Sequence, residues 1–215
     1  MELILPPERH TTFYELWDAL AARDECGICL LHRRRARTFM ESFFYEHVND
    51  PGVRNHLHES LGFGPEASAL AEELHDALGL SITYAALAFD VAQRLESPRA
   101  PLEASESCPL AAAMRETEAR YLREFARYYG EKDVQDRHAA GFGLCLGHLA
   151  AVLYVIDDET LQAQLYHTEQ EKFARLRDEL QLFVKKSSYD NRVPLGSEAD
   201  AWQRALRKFR RPEPK

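Results

Sequence analysis

"DECGICLLHRRRAR", Asp24–Arg37, places two thiols three residues apart, Cys26 and Cys29, directly before a run of arginines. Such a C-x-x-C is a metal-ligand pair, a redox pair or two small buried residues, and its surroundings decide among them. A redox C-x-x-C normally follows a strand in an α/β fold. Here few segments alternate apolar with polar residues at period two, so no sheet is expected around it. Helical patterns dominate, and they predict an all-α fold.

Outward from this stretch, Leu30–Val48 reads as a long helix with Phe39, Phe43 and Phe44 on or near one side, stopped by "NDPG" at Asn49–Gly52. Upstream, Thr12 and Glu15 have capping-box spacing ahead of a helix over Phe13–Arg23. Downstream, helices are expected at about Pro65–Ala77, Ser81–Leu95, Leu110–Tyr129, Leu144–Ile156 and Glu159–Lys185. "SPRAPLEASES", Ser97–Ser107, has two prolines and little that could pack, which marks a linker. The expected organisation is an N-terminal helical unit over 1–96 carrying C-x-x-C, a linker over 97–107, a second helical unit over 108–186 carrying C-x-x-H, and a C-terminal loop and helix over 187–215. In the last helix, from about Glu198 to Arg210, Ser197 and Asp200 offer a capping pair, and Trp202 and Leu206 lie four apart for docking.

The two halves match across the linker. Cys26-Gly-Ile-Cys29 corresponds to Cys108-Pro-Leu-Ala111, 82 positions on; Val53 corresponds to Val134, 81 on; Gly64-Pro-Glu-Ala67 corresponds to Cys145-Leu-Gly-His148, again 81 on. A shared offset points to a duplicated unit of roughly 80 residues. If each ancestral unit carried C-x-x-C near its start and C-x-x-H further along, this chain keeps the first pair in one half and the second pair in the other. Gly64, Ala67 and Ala111 cannot ligate a metal. The losses are complementary, as expected if each site took its pairs from both halves: one site survives whole as Cys26, Cys29, Cys145 and His148, and the other survives only as Cys108.

Three thiolates and an imidazole form a closed tetrahedral shell for Zn²⁺, so one zinc ion is expected to tie the halves together. An iron–sulfur cluster on the same ligands, in a thiol-dependent redox protein, is the alternative. Glycines at 141 and 143 are expected to let the chain approach the ion closely before the C-x-x-H helix begins. The plainer alternative treats Cys145, between Leu144 and Leu146, as a small buried residue and His148 as a core histidine.

The net charge of -8 disfavours passive nucleic-acid binding by the chain as a whole. A nucleic-acid role would rest on the arginine clusters "HRRRAR" and "RALRKFRRPEPK"; solvated helix faces paired with carboxylates are the simpler account. Glu72 and His75 have half the ligand spacing of a di-iron bundle, but a second such pair is missing. His56 and His58, two apart, fall on different faces of any helix. No phosphate loop, nucleophile elbow or metalloprotease helix is present, and no residue stands out as a catalytic nucleophile or base. The expected role is a binding or scaffolding module for a protein partner rather than an enzyme. The start, "MELILPPERHTT", has no export signature, and the longest apolar run, Gly141–Ile156, is broken by His148 and falls short of the roughly 20 residues that cross a bilayer. A cytoplasmic protein without a membrane partner is expected, with thiols rather than disulfides.

Taken together, the C-x-x-C before an Arg-containing helix, "YEHVNDPGVRNHLHESLGF", "GLCLGHL" and "FVKKSSYDNR" followed by "GSEADAWQRAL" resemble an uncharacterised bacterial helical family, a domain of unknown function with paired C-x-x-C and C-x-x-H motifs. The resemblance runs from about Cys26 to Leu206. It implies that Cys26, Cys29, Cys145 and His148 are the matching ligand positions, that Gly64, Ala67 and Ala111 depart from the pattern, and it implies no activity.

Overall fold

A computed structural model describes residues 9–97, 102–188 and 193–210; the expected linker and the loop before the last helix lie partly outside these residues. The described residues form ten α-helices and no strand. They are α1 (Thr11–Ala19), α2 (Gly27–Ser42), α3 (Pro51–Glu59), α4 (Pro65–Leu74), α5 (Ala77–Leu95), α6 (Pro109–Tyr128), α7 (Lys132–Ala140), α8 (Leu146–Val155), α9 (Glu159–Lys186) and α10 (Ala201–Lys208). The all-α expectation holds.

Two short helices, α3 and α7, are additional to those read from the sequence. "NDPG" does end α2, which closes in a π-helical turn over Phe43–His47, but it also starts α3. Asp50 accepts a hydrogen bond from the Val53 N–H as the N-cap, and Pro51 stands at the first helical position, where its missing N–H costs nothing. The cap of α1 is His10 rather than Thr12, with the imidazole accepting from the Thr12 N–H. In α10 the outcome differs from the docking expected of Trp202 and Leu206. Both side chains are exposed, and the helix buries Ala201 and Lys208 instead.

The chain forms two compact units, divided inside α2 between Leu31 and His32 and inside α6 between Glu118 and Ala119. In the first unit, residues up to Leu31 pack with those from Ala119 onward, around Phe13, Leu16, Tyr121, Phe125, Leu149 and Val152. The second unit, 32–118, has its own cores, one around Met40, Ala67, Ala71, Leu110 and Met114 and one around Phe43 and Leu57. Both ligand pairs therefore fall in the first unit. No helix among the described residues is long and apolar enough to cross a membrane.

Candidate metal centre

How do residues more than a hundred positions apart reach one point? The turn Ala19–Ala22 after α1 serves as a shared brace. On one side, Gly27 at the start of α2 lies so close to the Ala19 carbonyl that a Cβ would come within 2.8 Å of its oxygen. On the other, a Cβ at Gly141 would overlap the Leu20 carbonyl oxygen, and the Phe142 N–H donates to the Ala22 carbonyl at 2.7 Å. The glycine expected to make room for an ion thus makes room for backbone. Gly143 has φ +85, a conformation that only glycine adopts without strain, and it turns the chain into α8. Both ligand pairs are registered against the same four residues.

The four donors converge. Cys26 immediately precedes α2 and Cys29 lies in its first turn; Cys145 is the N-cap of α8, with His148 on its first turn. The Sγ atoms of Cys26, Cys29 and Cys145 lie 3.4, 3.3 and 3.2 Å from His148 Nδ1, and the sulfurs of Cys29 and Cys145 are 3.6 Å apart. All four donor atoms lie within 4.8 Å of one another, and all four residues are buried. The arrangement can hold one metal ion.

The protonation chemistry points the same way. Burial pushes the Cys26 thiol well above its ordinary value, and hydrogen bonding with Cys145 raises Cys29 to about 11. Cys145, accepting hydrogen bonds from Cys26 and Cys29, is held far below the usual thiol range. Burial and the mutual hydrogen bonding of the sulfurs thus oppose charging all three together. A divalent cation is what would allow all three to be thiolates at once.

Beneath the donors lies a buried ionic network that sequence reasoning did not find. Glu169 on α9 accepts from the Leu144 N–H at 2.8 Å, next to Cys145, and from Lys208 Nζ at 2.6 Å. Lys208 also donates to the Phe142 carbonyl at 3.1 Å. His138 of α7, fully buried edge-on to Phe125 and Tyr129, has Nε2 2.9 Å from Glu169 Oε1, close in distance but out of line for a hydrogen bond. Burial pushes the Glu169 carboxyl up, but His138 and Lys208 outweigh it and hold it below its usual value; burial drives His138 down, towards the neutral imidazole. The C-terminal end of α10 completes the surround. The Arg210 carbonyl accepts from the Gly147 N–H at 2.9 Å, and the Arg210 charge draws Cys29 downward.

The "RALRKFRR" cluster is largely consumed in this way. Arg204 pairs with Glu179 at 2.6 Å and Asp200 at 2.9 Å, Arg207 with Asp24 at 3.0 Å, and Lys208 with Glu169. Of the other candidates, His75 is the left-handed C-cap of α4, its Nδ1 2.7 Å from the Glu73 carbonyl. His56 and His58 sit apart on α3, the first with the Ser107 carbonyl and the second with Asp90. Cys108 is a buried free thiol in the second unit.

No curated protein and no solved structure matches the chain. One family does, over residues 91–215, a span that holds Cys145, His148 and the Glu169–Lys208 network but begins beyond Cys26 and Cys29. The match covers more than half of the chain, and by it the protein belongs to DUF6062, a family of unknown function.

Proposed function

We propose that this chain is a structural-zinc protein whose ion fastens the N-terminal segment to α8, and that the fold so held binds or scaffolds a protein partner in a reducing compartment such as the cytoplasm. The observation that carries the metal reading is the convergence of three thiols and an imidazole, all buried, within 4.8 Å. Zinc bonds of about 2.3 Å to sulfur and 2.0–2.1 Å to nitrogen give tetrahedral edges of roughly 3.6–3.8 Å, close to the separations found. Four protein donors fill the shell and leave no position for a substrate, which favours a structural over a catalytic role. In an iron–sulfur cluster the ligands are distributed over different irons and must stand further apart, so the short separations weigh against that alternative. The engagement of Arg204, Arg207 and Lys208 in ion pairs weighs against their forming a nucleic-acid-binding face. The test is elemental analysis: about one zinc per chain in a colourless protein supports the reading, and iron with visible absorbance refutes it.

An internal duplication accounts for how the site came to be built. The helix starts pair as Gly27 with Pro109, Pro51 with Lys132, Pro65 with Leu146 and Ala77 with Glu159, always 81 or 82 positions apart. Gly64 and Cys145, the N-caps of α4 and α8, share an extended backbone, with ψ 172 and 163. In the second unit a Cβ at Gly64 would lie 3.3 Å from Cys108 Sγ, with Ala67 and Ala111 packed in the same core. On this reading the second unit holds the remains of a twin site. Gly64→Cys with Ala111→Cys and Ala67→His should raise the metal content from one to two ions per chain; Gly64→Cys with Ala111→Cys alone, which spares the core alanine, should give a weaker second site. A content of one ion in both variants refutes the duplication.

The partner-binding half of the proposal is supported by α5, which leaves Leu78 71% and Phe89 62% exposed, with Ile82 between them on the same face. Replacing Leu78 and Phe89 by serine should leave metal content and melting temperature unchanged while removing whatever co-purifies with the protein from its native cells. Unchanged co-purification would count against this face.

A further inference from the structure

Beside the buried ionic network, within the first unit, is a pocket of about 220 Å³ lined by Arg23, Lys172, Arg175, Arg204, Lys208 and a single carboxylate, Glu179. In a chain of net charge -8, five cations against one acid is a strong local inversion.

The charges do not cancel. Glu179 is claimed by Arg204 at 2.6 Å, and Lys208 is neutralised by Glu169 at 2.6 Å. Lys172 gives its protons to the Ala139 and Gly141 carbonyls, at 2.7 and 2.6 Å, rather than to a carboxylate. Among the described residues, Arg23 and Arg175 have no hydrogen-bond or ion-pair partner. Three positive charges, two of them guanidinium forks suited to bidentate contact with an oxyanion, therefore face one cavity without an ion-pair partner among the described residues. Burial lowers the Lys172 ammonium, the Glu169 charge opposes this, and the charges of Lys208 and Arg175 add to it, leaving the group at about 8. The cavity has room for roughly seven waters at about 30 Å³ each. That suits a small anion.

We propose that this pocket is a binding site for a small phosphoryl dianion, held by Arg23, Lys172 and Arg175. The ligand is free phosphate or a small phosphate monoester; both present the same oxygens to the guanidinium forks. Arg204 and Lys208 keep their carboxylate partners and set the walls. The site does not draw on the metal donors, since Arg23, Lys172 and Arg175 are not among the four clustered residues.

The test is calorimetric titration of the full-length protein with inorganic phosphate, glycerol phosphate and succinate, in chloride buffer. Saturable binding of one phosphate per chain is expected, weakened at least tenfold in Arg175→Ala and in Arg23→Ala. Both arginines are solvent-exposed, so metal content and melting temperature should stay unchanged in these variants. Whichever of the two phosphates binds more tightly identifies the source of the ligand, and either ranking supports the proposal. Absence of saturable phosphate binding, affinities indifferent to both arginine substitutions, or succinate binding more tightly than either phosphate would overturn it.

Discussion

Replacing Cys145 by alanine is expected to drop the metal content from about one ion per chain to near zero and to lower stability by about 4 to 5 kcal/mol. The magnitude follows from the size of the loop the ion closes. Cys29 and Cys145 are 116 positions apart, and a crosslink of that span restricts the unfolded chain by this amount on a chain-entropy estimate. For a protein of this size each kcal/mol moves the melting temperature by roughly 2–4 °C, so a fall of about 10–20 °C should be seen. Chelation of the wild type should reproduce the fall, and returning zinc should reverse it in the wild type alone. Cys108→Ala is the control: a buried thiol that is not one of the four clustered donors, whose loss should leave the metal in place. A Cys145→Ala protein that keeps its metal, or one that loses it at no cost in stability, would contradict a structural centre.

Fold class and the convergence of Cys26, Cys29, Cys145 and His148 were both legible in the sequence, for different reasons. The long helices announce themselves by apolar periodicity, and Cys145 and His148 have a spacing that only a helix turns into a shared face. The short helices α3 and α7 were hidden because nine residues give too few turns for a period to emerge. Their starts were nonetheless written locally: the Asp50-Pro51 pair that ends one helix is itself a start signal. The division into units was not legible at all. It depends on which surfaces bury each other, and nothing local in Leu31 or His32 records that the chain on either side packs into different cores. The brace at Ala19–Ala22 is of the same kind, since Gly27 and Gly141 reveal their close approach only once the backbones they meet are known. Lys208 is indistinguishable in the sequence from the other cations of its cluster, because a buried lysine looks like an exposed one until its carboxylate is found, 39 residues away, on another helix.

That buried pair supports the second large effect. Glu169→Gln should keep the acceptor for the Leu144 N–H but leave the Lys208 ammonium, 2% exposed, without a counter-charge. Removing one partner of a buried ion pair costs about 3 to 5 kcal/mol, because the remaining charge stays desolvated. Adding Lys208→Met to Glu169→Gln should recover most of that loss, whereas Lys208→Met alone should be costly, so a double-mutant cycle by urea denaturation separates the pair from general damage to the core. Since Glu169 also holds the backbone beside Cys145, metal affinity should fall by about 10- to 100-fold in Glu169→Ala, which loses that acceptor, the usual effect of losing support behind a ligand. The pH dependence follows from the same groups. The folded-state value of Glu169 lies below 4.5, so the stability it contributes is complete above that pH and is lost as acid brings the carboxyl through its folded value. His138, neutral when buried, adds a loss that begins earlier, as the unfolded chain takes up a proton below about pH 6.5 that the folded chain refuses. Wild-type stability should therefore decline from about pH 6.5 downward. In the Glu169→Gln, Lys208→Met double variant, the component below pH 4.5 should be gone while the histidine component remains. An acid profile identical in the two proteins would show that the Glu169–Lys208 pair does not support the metal-bearing unit.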